Sequence, residues 1–65
     1  MENNILLIPK LYTKREAAEK IRMSVQFVDD MRGLGKLPYV KLGRYIFIKD
    51  TDITKFLEEQ TVRAQ

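Results

Sequence analysis

Apolar residues recur at helical spacing in three stretches of this chain and alternate with polar residues in a fourth. In "LYTKREAAEKI", Ala17, Ala18 and Ile21 share one helical face, and Lys14, Arg15, Glu19 and Lys20 occupy the other. Thr13 stands three residues before Glu16, the capping-box spacing, so a helix is predicted to begin there. Ser24 is placed to cap a second helix through "VQFVDDMRGL", in which Phe27, Val28 and Met31 form a stripe, ending near Gly33 or Gly35. Only about three residues separate the two helices, which predicts a helix-turn-helix rather than an antiparallel pair.

Pro38 bars helix continuation, and "YVKLGRYIFIK" then alternates apolar and polar residues around Gly43. A two-stranded hairpin is predicted, with Val40, Leu42, Ile46 and Ile48 on one face and Tyr39, Lys41, Tyr45 and Phe47 on the other. A lone hairpin is marginal in water, so its apolar face must pack on the helices. "DTDITKFLEEQ" has Asp and Thr at its start for a cap and sets Ile53, Phe56 and Leu57 at i, i+3 and i+4, which predicts a third amphipathic helix. The apolar run Ile5–Ile8 in "ILLIPKLY" lies outside the capped helices. It is expected along the hairpin edge or against a second copy, and the ends "MENN" and "TVRAQ" are expected to fray.

Sixty-five residues suffice for one small domain, 1–65, because a chain this short hides only about 60% of its unfolded surface. The absence of cysteine and histidine excludes disulfides, thiolate nucleophiles, imidazole bases and Cys/His zinc sites. No metal or cofactor is expected, and no enzymatic role. The adjacent carboxylates Asp29 and Asp30 point about 100° apart on a helix, with no nucleophile nearby. No apolar run approaches the roughly 20 residues of a membrane span and the N-terminus lacks signal-peptide features, so a cytoplasmic protein without membrane contact is expected.

The net charge of +3 is unevenly distributed. Residues 10–49 carry ten Lys or Arg against Glu16, Glu19, Asp29 and Asp30, a balance of +6, whereas residues 50–65 carry two against Asp50, Asp52, Glu58 and Glu59. A basic middle and an acidic tail suggest an anionic partner for the middle, with a scattered solvated surface as the alternative.

Helix, turn, helix, hairpin, helix is the order of a winged helix-turn-helix, an α+β, mainly helical fold. "YT" before a helix containing "EAA", Ser24 opening the next helix, "GKLP" at 35–38, "VKLGR" at 40–44 and "DITKFL" at 52–57 together closely resemble the small excisionase-like, MerR-type winged-helix DNA-binding domains. The resemblance covers residues 11–57 without a gap. It implies that the second helix enters the major groove of double-stranded DNA and that the hairpin, the wing, lies on backbone or minor groove. The groove-facing candidates it implies are Ser24, Val25, Gln26, Asp29 and Arg32, with Lys36 leading into the hairpin and Lys41, Arg44 and Tyr45 as the wing contact.

The chemistry of those residues agrees with that assignment. Lys and Arg neutralise phosphates with release of counterions, Gln can pair bidentately with adenine, and Arg can pair with guanine or enter a narrow minor groove. Thr13, Lys14 and Arg15 at a helix N-terminus can add phosphate contacts. Arg22 in the turn is a further candidate, and for both Arg22 and Arg32 the alternative is surface solvation or an ion pair with a local carboxylate.

The chain also departs from the pattern. Relatives often have Gly in place of Arg22, basic or hydroxyl residues in place of Val25, Asp29 and Asp30, and a polar or basic residue in place of Phe47. The two aspartates therefore accept from cytosine amino groups, face away, or touch protein. The resemblance implies an accessory protein of a phage or other mobile element, binding and bending DNA cooperatively for a site-specific recombinase. The same surface could serve a small transcriptional regulator, and the departures leave open a protein-interaction module that has lost DNA binding.

Overall fold

A computed structural model describes residues 9–63. The element order is β1 (Leu11–Thr13), α1 (Lys14–Ile21), α2 (Val25–Gly33), β2 (Val40–Leu42), β3 (Tyr45–Lys49) and α3 (Asp50–Gln60). Three helices and an antiparallel sheet make the mixed α+β arrangement of a winged helix-turn-helix.

Thr13 starts α1 through the expected capping box: its hydroxyl accepts from the Glu16 N–H at 3.1 Å, and the Glu16 carboxylate accepts from the Thr13 N–H at 2.9 Å. The helix stops at Arg22, which takes the left-handed conformation at φ 62°, ψ 38°. Arg22 N–H donates to the Glu19 carbonyl and Met23 N–H to the Ala18 carbonyl, the pair of bonds that defines a Schellman ending. Ser24 caps α2, accepting from the Phe27 N–H at 3.1 Å. That helix ends at Gly33, and Gly35 at φ 76° turns the chain away.

The sheet has three strands in the order β1-β3-β2, where the sequence pattern predicted two. The added strand is β1, whose Leu11, Tyr12 and Thr13 pair with Lys49, Ile48 and Phe47. An exposed strand edge presents unpaired backbone groups, and β1 satisfies those on one side of β3. Leu11 and Tyr12 run along the hairpin edge, whereas Ile5–Ile8, for which that course or a second copy was the expectation, and "MENN" lie outside the described residues. Thr13 is at once the last residue of β1 and the cap of α1, so the sheet fixes where the first helix begins.

The hairpin faces differ from those predicted. Val40 opposes Phe47, Lys41 opposes Ile46 and Leu42 opposes Tyr45. Directly opposed residues share a face, so Val40 and Leu42 lie with Phe47 and Tyr45, and Lys41 lies with Ile46 and Ile48. The prediction centred the turn on Gly43 alone, whereas the loop is the two-residue Gly43–Arg44, and a one-residue change of register exchanges the faces of one strand relative to the other. Gly43 has φ 62° and Arg44 has no positive φ, the pattern of a type II′ hairpin turn.

The start of α3 also departs from expectation. Lys49 holds the cap position and provides no side-chain hydrogen bond, and Asp50 and Asp52 sit inside the first turn, where the helix dipole favours carboxylates. The Asp50 N–H is satisfied instead by the Lys10 carbonyl at 2.9 Å, which continues the β1–β3 pairing into the helix.

The core consists of Ala17, Ala18, Val28, Leu37, Ile48, Ile53 and Phe56. The alanines let α1 approach its neighbours closely, and Phe27 meets the Phe56 ring edge-on at 6.2 Å between centroids. Leu57, expected in the buried stripe of α3, is largely exposed, so Ile53 and Phe56 carry that contact. Leu37 belongs to no periodic stripe yet is fully buried, and it anchors the loop between α2 and the wing. Among the described residues no helix is long and apolar enough to cross a membrane.

Candidate nucleic-acid interface

Because β1 delivers Thr13 to the side of β3, the N-terminus of α1 lies against the wing. Thr13, Lys14 and Arg15, the first residue of α2, Val25, and Arg44, Tyr45, Ile46 and Phe47 of the wing together line a hollow of about 370 Å³. Six of the thirteen residues singled out in the sequence therefore meet on one surface. Three of the hollow's lining residues are cationic and none is acidic. A larger hollow, about 470 Å³, is bordered by Lys10, Leu11, Tyr12, Glu16, Glu19 and Lys20, where two carboxylates offset two ammonium groups. The wing hollow is the better match for phosphate.

Within it, Arg15 and Arg44 have no carboxylate partner among the described residues, which leaves their charge available to an anion. The Arg44 guanidinium lies 5.8 Å from the Tyr45 ring centroid, within range of a cation–π contact. Tyr45 and the opposed Leu42 are both more than half exposed, so the wing tip carries an apolar pair beside a cation. The first turn of α1 adds backbone N–H groups at the positive end of its dipole.

The exposed side of α2 is organised by its two aspartates. Asp29 accepts from Lys14 Nζ at 3.1 Å and from Arg32 Nε and Nη2 at 3.2 and 2.8 Å. These bonds, those of Arg32 first and of Lys14 second, hold its carboxyl below the usual carboxylate range. Arg32 also lies over the Tyr39 ring, with its guanidinium carbon 4.6 Å from the centroid. Asp30 accepts from Gln26 Nε2 at 2.9 Å, which leaves the Gln26 carbonyl oxygen and one N–H to face outward. The Ser24 oxygen is engaged with the Phe27 N–H, and its own hydrogen remains a donor.

The other candidates stand apart from the wing hollow. Lys36 borders a different depression with Gly35, Pro38, Asp52, Lys55, Phe56 and Glu59, against α3. Lys41 is exposed but shares a sheet face with Ile46, not with Tyr45 as the alternation predicted. Arg22 is exposed at the far end of α1 from Lys14. Sequence reasoning did not identify Tyr39 as a partner of Arg32, nor the pairing of Lys14 with Asp29. Fifteen positions separate the latter two, so no local spacing could signal it.

No curated protein and no solved structure matches the chain. The family described as helix-turn-helix domain matches residues 11–61, most of the sequence. That span runs from the first residue of β1 to just past the end of α3 and so includes the helix pair, the wing and the acid-free hollow between them. The chain belongs to the helix-turn-helix domain family, and the match supports a small DNA-binding domain.

Proposed function

We propose that this chain is a sequence-specific DNA-binding accessory protein of a mobile element, similar in role to an excisionase, which binds and bends duplex DNA for a site-specific recombinase without catalysing a step itself. The observation that carries the DNA-binding part is the hollow shared by Thr13–Arg15, Val25 and Arg44–Phe47, which has three cations and no carboxylate. In this reading α2 lies in the major groove, with Val25, Gln26 and Arg32 toward base edges. Arg15 and Lys14 meet phosphates at its side. Arg44 and Tyr45 follow the backbone or the minor groove, where an arginine suits a narrow groove and an apolar tip suits a widened one.

The excision role is supported by the ordered motif set "YT…EAA…GKLP…VKLGR…DITKFL". One short helix and one wing bury little surface, so a single copy should bind weakly, and copies at sites one helical turn apart would reinforce one another. The neutralisation of Asp29 by Lys14 and Arg32 favours this reading over a protein-interaction module, because that carboxylate no longer presents a bare negative charge to phosphate.

A small transcriptional regulator would use the same surface on a promoter. Fluorescence anisotropy with labelled duplexes tiled across the DNA flanking the gene separates the two. Binding concentrated on repeated sites at an element's attachment region supports excision, and binding at a promoter supports regulation. Equal affinity for every tile refutes sequence specificity.

A further inference from the structure

An aspartate on the exposed face of a recognition helix is unfavourable for phosphate binding unless it does something else. Here Asp29 accepts three hydrogen-bond donors from two different elements. Lys14 Nζ arrives from the first turn of α1 at 3.1 Å, and the Arg32 fork arrives from one turn further along α2 at 2.8 and 3.2 Å. On its other side the Arg32 guanidinium lies 4.6 Å from the centre of the Tyr39 ring, in the segment leading into β2. An arginine on a helix surface ordinarily samples many rotamers. This one is held by a carboxylate through two nitrogens and by an aromatic face, and its side chain is only 20% exposed.

We infer that Asp29 and Tyr39 are positioning residues that hold Arg32 in one orientation for a single base pair, and that Asp29 reads no base itself. This rests on the DNA-binding reading above. The Asp29 contacts use Nε and one hydrogen of Nη2. Nη1 and the other Nη2 hydrogen remain as two adjacent donors, the pair that a guanine O6/N7 edge accepts. Lys14 balances the remaining carboxylate charge, so the cluster of Lys14, Asp29 and Arg32 carries a net charge of one cation rather than two. The arrangement gives up some non-specific attraction for phosphate and gains a fixed direction for the arginine. Tyr39 makes that direction depend on the wing, because any shift of the β2 approach moves the ring on which Arg32 rests.

The test compares the full chain with Asp29→Asn, Tyr39→Leu and Arg32→Lys, using anisotropy on the best flanking tile, on a random duplex and on single-base-pair variants of the tile. Asp29→Asn is expected to bind random duplex as tightly as the parent or more tightly, with a salt slope steeper by about 0.9 for each cation it frees. Its preference for the tile over random DNA should fall by about tenfold, within the discrimination one bidentate arginine provides. The lost preference should concentrate at one G·C pair, and Tyr39→Leu, which changes no charge, should lose preference at that same pair, as should Arg32→Lys.

A uniform gain on tile and random DNA in Asp29→Asn overturns the inference, because Asp29 would then be only a repelling charge. Loss at a pair that Tyr39→Leu leaves untouched also overturns it, because Asp29 would then contact that base directly. Without DNA, the Arg32 Nε–H resonance should be resolved in the parent and move toward the exposed-arginine position in Asp29→Asn. An unmoved resonance contradicts the tether whatever the chain binds. Failure of the parent to bind any duplex refutes the DNA-binding reading instead.

Discussion

Arg22→Gly should stabilise this protein. Arg22 ends α1 at φ 62°, ψ 38°, a conformation in which a side chain crowds the following carbonyl at a cost of roughly 1–2 kcal/mol. Glycine avoids that crowding but loses about 0.5–1 kcal/mol of extra freedom on folding. The two bonds of the ending, Arg22 N–H to Glu19 and Met23 N–H to Ala18, use backbone atoms only and survive the change. The side chain is exposed and makes no ion pair among the described residues, so little else is lost. The net gain is about 0.5–1 kcal/mol, which for a domain this small corresponds to a rise of about 2–8 °C in Tm. Thermal unfolding followed by circular dichroism reads it directly. Arg22→Ala is the control, because alanine removes the same charge but keeps the strained backbone, and it should melt within about 0.5 kcal/mol of the parent. If glycine proves no more stable than alanine, the left-handed ending is not the source of strain and the argument fails.

Three further outcomes follow from other positions. Gly43→Ala meets no atom within 4 Å, so its cost should come from backbone strain at φ 62° alone, about 1–2 kcal/mol in urea unfolding, and a larger loss would indicate a clash that the structure does not contain. Phe56→Ala removes the ring that faces Phe27 in the core and should cost about 3–5 kcal/mol, close to the whole stability expected of a chain this size, so its far-UV spectrum should be largely that of an unfolded chain at 37 °C. The Asp29 carboxyl is held below its ordinary value by Arg32 and Lys14, so it contributes stability above the unfolded carboxylate range, near pH 4, and loses it as pH falls through the lower folded value. Asp29→Asn should therefore flatten the acid limb of the Tm profile, and an unchanged limb would mean the three groups are not coupled.

The helices were legible in the sequence because their information is local. Thr13 with Glu16, Ser24 before the Phe27–Val28–Met31 stripe, and Ile53 with Phe56 each lie within a turn or two of one another. The family resemblance likewise drew attention to Arg22, the one non-glycine residue with positive φ among those described. What alternation could not supply was parity. A hairpin pattern centred on Gly43 and one with a Gly43–Arg44 loop differ by a single residue, and that residue decides whether Lys41 shares a face with Tyr45. The third strand escaped notice because Leu11–Thr13 is too short to show a period, and its pairing partners lie more than thirty residues away.

The candidate site divides the same way. Thr13, Lys14, Arg15, Val25, Arg44 and Tyr45 were identified by residue type and motif, and the structure gathers them on one surface. Their convergence depends on β1 placing the start of α1 beside β3, which no local pattern encodes. The resemblance implies Lys36 as the residue leading into the hairpin, but its loop turns back after Gly35, with the Lys36 and Leu37 N–H groups both bonded to the Met31 carbonyl, and it faces α3. Tyr39 was assigned to a sheet face by alternation, while its ring carries Arg32.

The most direct test of the wing hollow as the DNA-binding surface is the salt dependence of duplex affinity for the parent chain and for the double variant Arg15→Ala, Arg44→Ala. Both side chains border the hollow and neither has a carboxylate partner among the described residues, so their loss should leave the fold intact. The parent should bind more weakly as salt rises, and the variant should bind more weakly at every salt with a log–log slope shallower by about 1.8, two phosphate contacts at about 0.9 each. A parent that binds no duplex at low salt, or a variant whose affinity and slope match the parent's, would contradict it.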